Sequence, residues 1–180
     1  MSANPSAITD PHADRRLFRQ VMGRFATGVT DITTRFGEET FGMTANAFMA
    51  GSLDPMLCVI SINRSAQMHG RLRLAGHFGV SFLSQEQQHL AAQFAGKRLD
   101  GLVPDFELHG RTPILKRAIG AVTADILDAA ECGDHTLFIG SITGLISGDD
   151  TASPLLFSGG RYARIDARAP IDKAEPPEFW

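Results

Sequence analysis

The sequence contains few cysteines and none of the common cofactor-binding motifs. Only two cysteines occur among 180 residues, Cys58 and Cys132, and they form no CxxC pair. This argues against a disulfide framework and against a tight zinc site. The chain also lacks GxGxxG, GxxxxGKS/T, HExxH and GxSxG. Any nucleotide or redox chemistry must therefore use a fold that binds its cofactor in another way.

Strong charge of either sign and long apolar runs are also missing. The formal net charge is -3, and no basic stripe of the kind that binds nucleic acid is present. No apolar run reaches the ~18–20 residues of a membrane span, and the N-terminus has no apolar signal-peptide core. Hydrophobic residues make up 43% and charged residues 21%, as in ordinary globular proteins. We expect a cytoplasmic protein with neither a nucleic-acid nor a membrane partner.

Tryptophan and tyrosine are almost absent, whereas phenylalanine is common. The sequence has 12 Phe but one Trp and one Tyr. Phe has no polar group, so most of these rings should lie in the core. The single tyrosine, Tyr162, is therefore the more informative aromatic residue.

Three short helices are predicted from capping residues and apolar periodicity. The first begins after Asp10 and Pro11, and its shared apolar face holds Leu17, Phe18, Val21 and Phe25. The second runs from Ser65 to about Leu74. The third begins at Ser84 with a capping box to Gln87, and Gly96 can end it. Its buried face is formed by Leu90, Ala91 and Phe94.

The remaining elements are predicted to be short strands, at 29–36, 40–46, 56–62, 79–83, 122–128, 136–146, 155–157 and 162–165. Many short strands with few helices predict a mostly β fold, a Greek-key split β-barrel with flanking helices. A doubly wound sheet would instead alternate strands and helices regularly. The expected organisation is a flexible N-terminus (1–9), one domain (10–166) and a Pro-rich C-terminal tail (167–180).

One predicted hairpin places an acid and a histidine side by side. Asp134 and His135 follow Gly133 in an apparent tight turn, and an apolar strand begins at once. A rigid hairpin would hold the imidazole at the mouth of a barrel, where a ring-shaped substrate could lie against it. The alternative is a turn histidine without a functional role.

Several segments occur in an order that resembles a known family. They are Phe25-Ala26-Thr27-Gly28-Val29, Gly42-Met43-Thr44-Ala45-Asn46-Ala47-Phe48, Ser52-Leu53-Asp54-Pro55, Ile62-Asn63-Arg64-Ser65, Phe94-Ala95-Gly96, Gly133-Asp134-His135 and Pro154-Leu155-Leu156-Phe157. The chain resembles the short-chain flavin reductases, the reductase components of two-component flavin monooxygenases, over roughly 18–165. The resemblance implies an FMN-binding split barrel and a homodimer. It also implies an NAD(P)H:flavin oxidoreductase that reduces FMN or FAD with NADH or NADPH and supplies the reduced flavin to a separate oxygenase.

The resemblance also implies which residues bind the flavin. Small residues at a strand end would let backbone N–H groups approach the ring, and by similarity the flavin is lined by Thr44, Ala45 and Asn46. The phosphate would be bound by Asn63, Arg64 and Ser65, with Ser52 as a further contact. Phe94 lies near the flavin in relatives, although it suits the core equally well. A plain edge strand and a plain helix cap are the alternatives for the first two groups.

The nicotinamide would lie against His135, whose flat ring can pack on it and whose ring N–H can bond the carboxamide. Asp134 could fix the turn or influence the charge of His135, and Tyr162 would border the same pocket. Hydride transfer needs the two rings stacked at about 3–3.5 Å, so positioning is the main task of the protein.

Some residues depart from the family pattern. Met49-Ala50-Gly51 stands where relatives carry more hydroxyl groups, and Asp31 interrupts a strand that is usually apolar. The sequence leaves open the choice between FMN and FAD and between NADH and NADPH. Two other functions on the same barrel remain open, a non-enzymatic flavin carrier and an oxidase resembling the pyridoxamine-phosphate oxidases.

Overall fold

Strands dominate the computed structural model, which describes residues 15–97 and 99–165. In chain order they are β1 (Thr27–Gly28), β2 (Thr30–Phe36), β3 (Glu39–Ala45), β4 (Phe48–Leu53), β5 (Met56–Asn63), β6 (His77–Phe82), β7 (Phe106–His109), β8 (Thr112–Leu115), β9 (Gly120–Cys132), β10 (His135–Ser147), β11 (Leu156–Ser158) and β12 (Arg161–Ala163). The helices are α1 (Arg15–Met22), α2 (Gln67–Ala75) and α3 (Gln88–Phe94). The predicted mostly β class with flanking helices is confirmed.

Seven strands form one antiparallel sheet in the order β3-β2-β6-β9-β10-β5-β4. Its two edges, β3 and β4, are consecutive along the chain, and only Asn46 and Ala47 join them. Edge strands joined by two residues lie close together only when the sheet curves round on itself. At this junction the Ser61 N–H donates to Ala47 O at 3.1 Å. No ladder joins β3 to β4 within the described ranges, so the curved sheet has the form of a barrel split along one side.

The apolar core consists of two clusters. The barrel cluster is built around Phe78 and Phe138, both fully buried, and α2 adds Met68 and Leu72 to it. Alternation explains this packing, because Cys58, Ile60 and Ile62 are buried on β5 while the residues between them are not. The α3 cluster joins one face of α3 to β8 and to residues directly adjoining β1, β6 and β11; its buried members are Val29, Leu83, Leu90, Ala91, Leu115 and Leu155.

The third predicted helix has the signals that the sequence suggested. The Ser84 N–H donates to Gln87 Oε1 at 3.1 Å, and the reciprocal bond of the capping box is also present. A 3₁₀ turn over Gln85–Gln87 leads directly into α3. Gly96 follows the helix with a φ of +99°, a conformation that favours glycine.

The second helix begins later than predicted. Its N-cap is Ala66, which forms no side-chain cap, and the first helical residue is Gln67 rather than Ser65. The Ser65 N–H and hydroxyl both donate to Asn63 Oδ1, at 2.8 and 2.7 Å. These bonds hold Ser65 in a turn before the helix, so the predicted Ser65 cap is wrong.

The first helix differs from expectation in its packing. No residue of α1 is buried, and Phe18, Val21 and the following Phe25 are 50% or more exposed. The predicted apolar face is therefore present in the sequence, and the described residues leave these three side chains largely exposed. The Asp10 cap, the flexible segment 1–9 and the tail 167–180 lie outside the described residues.

Within the described part, no helix combines the length and apolar character needed to cross a membrane.

Four strands were missing from the prediction, β1, β4, β7 and β8. The centre of β4 is Ala50-Gly51-Ser52, residues with little strand preference, and the strand forms because β5 pairs with it. β8 contains Pro113, which cannot donate to a ladder. It pairs with β7 across the turn at Gly110, whose φ is +62°.

Candidate functional site

A cleft of about 890 Å³ opens beside the junction between β3 and β4. Its walls are mostly apolar and include the side chains of Met22, Phe25, Phe48, Phe82, Leu137 and Leu155. Four polar residues interrupt this lining, Thr27, Thr30, Asn46 and Ser61. The volume and the mixture of apolar walls with a few polar groups are typical of small-molecule sites. The Thr27 hydroxyl oxygen is buried without a hydrogen-bond partner, so a ligand could bond it.

Strand register places a polar cluster at the rim of this cleft. Leu137 of β10 pairs with Ser61 of β5, and both line the cleft. His135, two residues before Leu137 on β10, pairs with Asn63, two residues after Ser61 on β5. Because residues two apart share a face of a sheet, His135 and Asn63 continue the surface on which Ser61 and Leu137 lie. The structure thus brings together two segments that are about 70 residues apart in sequence.

The turn between β9 and β10 determines the position of His135. Gly133 has a φ of +61°, which the first central residue of a type II′ hairpin turn requires. Asp134 completes the two-residue turn, and His135 is the first residue of β10, directly opposite Cys132. The predicted hairpin is confirmed, with the histidine at its rigid base rather than within the turn.

Hydrogen bonds join His135, Asp134 and Asn63. His135 Nδ1 lies 2.8 Å from Asp134 Oδ1, and this hydrogen bond is the main reason why the pKa of Asp134 falls below its usual value. The Asn63 side-chain amide donates to the other oxygen of Asp134 at 3.5 Å. The backbone N–H of Arg64 donates to Asp134 O at 3.0 Å. Hydrogen bonds therefore join the turn before β10 to the turn after β5.

Arg64 provides the positive charge of this cluster. Its side chain is half exposed, and its nearest acidic group, Glu131, is 3.8 Å away. An exposed ion pair at that distance contributes little, so the guanidinium is available to an anionic ligand. Ser65 was expected to bind the phosphate. Its hydroxyl and its backbone N–H instead both donate to Asn63 Oδ1.

The predicted flavin strand faces two cavities. Asn46 lines the large cleft, whereas Thr44 and Ala45, again with Asn46, line a smaller cavity of about 180 Å³ that also contacts Tyr162. The Thr44 oxygen lies 2.6 Å from Asp31 Oδ1 and 2.8 Å from Ala91 O of α3. The Thr44 hydroxyl is thus occupied inside the protein, which leaves Asn46 as the side chain of this segment that faces the large cleft.

Phe94 and Ser52 are not brought to the rim cluster. Phe94 packs in the α3 cluster, with its ring 6.1 Å from that of Phe106 and against Gly42, where a Cβ would collide with it. Ser52 pairs with Leu57 on β5, six residues before Asn63. Six residues of strand span about 20 Å, so Ser52 and Arg64 of one chain do not meet at one phosphate.

Several polar residues of the site escaped the sequence reasoning. Thr27 and Ser61 line the cleft, but a threonine before a strand and a serine within an apolar strand carry no distinctive pattern. Asp31 was noticed only as an interruption, and it is completely buried beside Thr44. Burial raises the pKa of its carboxyl to about 7. Burial and the nearby Asp31 carboxylate also raise the pKa of Tyr162.

Comparison with known families decides the relationship of the chain. Residues 22–166 match the model of the flavin reductase like domain. The chain belongs to this family. The resemblance drawn from the order of its motifs is therefore confirmed, and the flavin reductase match includes the whole cleft-lining part of the barrel.

Solved structures support the family assignment independently. A flavin reductase solved in its native state has a TM-score of 0.81 and 41% identity, over 84% of this chain and 98% of that one. The NADH:FAD oxidoreductase of Streptomyces globisporus, solved with NAD and FAD fragments, has a TM-score of 0.82 and 36% identity, over 92% of this chain and all of that one, 100%. These likenesses confirm the split-barrel fold.

A curated relative adds the biochemical context of such flavin reductases. The reductase component of 4-hydroxyphenylacetate 3-monooxygenase from Thermus thermophilus is 32% identical over 151 residues, which cover 84% of this chain and 97% of the relative. These three relatives carry the names of reductases or oxidoreductases. Their names favour an enzyme over a flavin carrier or an amine oxidase.

Proposed function

We propose that this protein uses NADH to reduce free flavin, FMN or FAD, and supplies the reduced flavin to a separate oxygenase. The observation that carries the proposal is the cluster of Asn63, Arg64, Asp134 and His135 at the rim of a large apolar cleft. Family membership and the named activities of the relatives support the same conclusion.

The residues of the cleft fit a flavin. The apolar walls would cover a flat ring and exclude water, while Asn46, Ser61 and the unpartnered Thr27 hydroxyl would bond its polar edge. Arg64 would bind the phosphate as a charge-assisted donor. A bound flavin would supply the redox chemistry by accepting a hydride from NADH. The protein itself contributes orientation and exclusion of water.

His135 would orient the nicotinamide through one defined ring nitrogen. The depressed pKa of Asp134 keeps that carboxyl ionised at neutral pH, so it accepts the hydrogen of His135 Nδ1. In the neutral imidazole, Nε2 then has no hydrogen and can only accept. It would therefore accept from the carboxamide NH₂ of NADH, whereas the ring N–H considered in the sequence analysis is already used by Asp134.

The activity is tested by mixing the protein with NADH or NADPH and an excess of FMN or FAD and following nucleotide absorbance. We expect oxidation of many equivalents of NADH per protein, because free flavin turns over as a substrate. A flavin that must leave binds moderately, and a micromolar dissociation constant corresponds to about -8 kcal/mol. Flavin binding without nucleotide oxidation would instead identify a carrier.

Replacing His135 with alanine should slow flavin reduction at limiting NADH by about 10–100-fold, or about 1.4–2.7 kcal/mol. The reason is that the nicotinamide would lose its orienting acceptor at the rim of the cleft. Stopped-flow reduction rates measure the effect, and His89→Ala, which alters an exposed histidine on α3, is the control. An unchanged rate for His135→Ala would remove this residue from the site.

Replacing Arg64 with alanine should weaken FMN binding by about 10–100-fold, because a charge-assisted bond contributes roughly 1.5–3 kcal/mol. Riboflavin has no phosphate, so its affinity should stay the same. Fluorescence titration of both flavins measures the difference. Arg73→Ala provides the matched control, since Arg73 is exposed in the last turn of the same helix that follows Arg64. Equal losses for FMN and riboflavin would contradict a phosphate contact.

The exposed apolar side chains on and just after α1 support a homodimer. Phe18, Val21, Met22 and Phe25 are 50–73% exposed, and Met22 and Phe25 border the cleft. A contiguous apolar surface of this kind marks an interface, and a second copy of the chain would cover it beside the site. Light scattering should give twice the 19.4 kDa chain mass, and Phe18→Glu should shift the protein toward monomer. A natural protein that scatters as a monomer at all concentrations would refute the dimer.

We place the protein in the cytoplasm, with the oxygenase as its protein partner. Cys58 and Cys132 are both free thiols, and Cys132 is exposed, which suits a reducing compartment. The partner would receive flavin by diffusion or direct transfer, and its substrate is not determined by this chain.

A further inference from the structure

Asp31 is an ionisable residue that is fully buried. It is the second residue of β2, has an exposed fraction of 0% and belongs to no ion pair of the described residues. Aspartate is almost never fully buried without a charged partner, because burying an unpaired charge is very costly. The neutral acid avoids this cost. The hydrogen bonds around Asp31 indicate which form is present.

The Thr44 hydroxyl has one hydrogen but two neighbouring oxygens. It lies 2.6 Å from Asp31 Oδ1 and 2.8 Å from Ala91 O. A backbone carbonyl can only accept, so the contact with Ala91 O is a hydrogen bond only when the Thr44 hydrogen points there, beside the Ala95 N–H that Ala91 O also accepts at 3.0 Å. The short contact to Asp31 is then a hydrogen bond only if Asp31 donates. A protonated Asp31 thus completes a relay from Asp31 through Thr44 to α3.

The second carboxyl oxygen supports the same assignment. Asp31 Oδ2 is buried and has no hydrogen-bond partner. A buried carboxylate oxygen without a partner is far more costly than the carbonyl oxygen of a neutral acid. Burial is the larger influence on the pKa of Asp31 and raises it to about 7, against the smaller lowering effect of the Thr44 hydrogen bond.

We propose that Asp31 is a positioning residue for the flavin site, which holds β3 against α3 by donating its proton to Thr44 and releases β3 when it ionises. β3 is an edge strand with a ladder only to β2, so the contact with α3 is an important second attachment. Asn46, which lines the cleft, lies two residues after Thr44. Loss of the relay would loosen the strand end that carries Asn46. This inference rests on the proposed flavin function of the cleft.

The proposal predicts that flavin affinity depends on pH through Asp31. Other titratable groups near Asp31 do not account for such a pH dependence. Tyr162 on β12 faces it and remains neutral near pH 7, because its own pKa is raised above 10.0. His89 on α3, Glu39 on β3 and Arg161 on β12 are exposed. β8 has no titratable side chain, and the flanking Arg111 and Lys116 are exposed. On β6, Ser81 pairs with Asp31, and His77 lies four residues away and bonds Thr112.

The test is the pH dependence of flavin affinity, measured by fluorescence quenching with riboflavin. Riboflavin is used because the phosphate of FMN itself titrates near pH 6. If only the protein with neutral Asp31 binds well, the apparent dissociation constant should rise about tenfold between about pH 6 and about pH 8. A flat profile for the natural protein would overturn the proposal.

Asp31→Asn is the conservative variant, because the asparagine amide can donate to Thr44 at every pH. We expect it to keep the tight affinity of the natural protein at pH 6 and to show no rise at pH 8. Thr44→Val removes the relay and should bind weakly and independently of pH. If Asp31→Asn keeps the pH response of the natural protein, or binds weakly throughout, the positioning role is refuted.

A direct titration of the Asp31 carboxyl by ¹³C NMR completes the test. It needs neither flavin nor turnover, and the signal is assigned by its absence in Asp31→Asn, or by selective perturbation in Thr44→Val. A midpoint near pH 7 supports the proposal, whereas a midpoint below about pH 5, normal for aspartate, overturns it. Failure of the proposed reductase function would appear separately, as flavin binding without NADH oxidation.

Discussion

Relative to the natural protein, Asp31→Asn should gain up to about 4 kcal/mol of unfolding free energy between about pH 4 and pH 8. The folded carboxyl has a pKa of about 7 against an ordinary value of 3.8. Between these values the folded state keeps a proton that the unfolded chain has lost. Raising the pH therefore destabilises the natural protein at up to about 1.4 kcal/mol per pH unit, and the loss stops above pH 7.

Urea unfolding at a series of pH values measures this difference, because all other titrating groups are shared by the two proteins. Asp150→Asn is the control, since Asp150 is exposed and should give a constant difference from the natural protein. A constant difference for Asp31→Asn as well would mean that Asp31 titrates normally in the folded state.

Phe138→Ala should lower the unfolding free energy by about 3–5 kcal/mol, the usual cost of removing a buried aromatic ring. Phe138 lies on β10 with an exposed fraction of 0%, at the centre of the barrel cluster. His69 of α2 contacts its ring edge-on at 5.4 Å between centroids. The lost contacts therefore affect both the sheet and the helix α2 that packs on it. Denaturant unfolding followed by circular dichroism measures the change.

Two variants separate the cavity from a general effect of mutating β10. Phe138→Leu retains most of the volume and should cost less than about 1.5–2 kcal/mol. Leu145→Ala removes a side chain of the same strand that is 65% exposed, and it should change stability by at most about 0.5 kcal/mol. Equal losses for Phe138→Ala and Leu145→Ala would show that the ring is not part of a packed core.

Local signals predicted the elements whose structure depends on neighbouring residues. The β9–β10 hairpin could be recognised because Gly133 supplies the positive φ of its turn, and the capping box at Ser84 marked the start of the 3₁₀ turn that leads into α3. Most predicted strands occur, since alternation reports burial directly. The strand limits were less accurate, and β9 and β10 each extend over 13 residues because they stabilise each other by pairing.

Elements that depend on distant partners could not be predicted. β4 has a sequence with little strand preference and forms on the edge of β5. The start of α2 was shifted because Asn63 accepts both hydrogen bonds of Ser65. The apolar face of α1 was recognised correctly as a pattern, but no sequence signal says that the described residues leave most of it exposed.

The sequence by itself determined the strand-rich class, the turn that presents His135 and the order of motifs that led to the family, because each depends on residues close together in the chain. Only the tertiary structure decided that Asn63 and Arg64 meet Asp134 at the rim of a cleft, that Ser52 lies apart from them, and that Asp31 is buried against Thr44. The physical reason is that register and burial are produced by pairing between distant strands, and they govern which polar groups meet and which of them hold a proton.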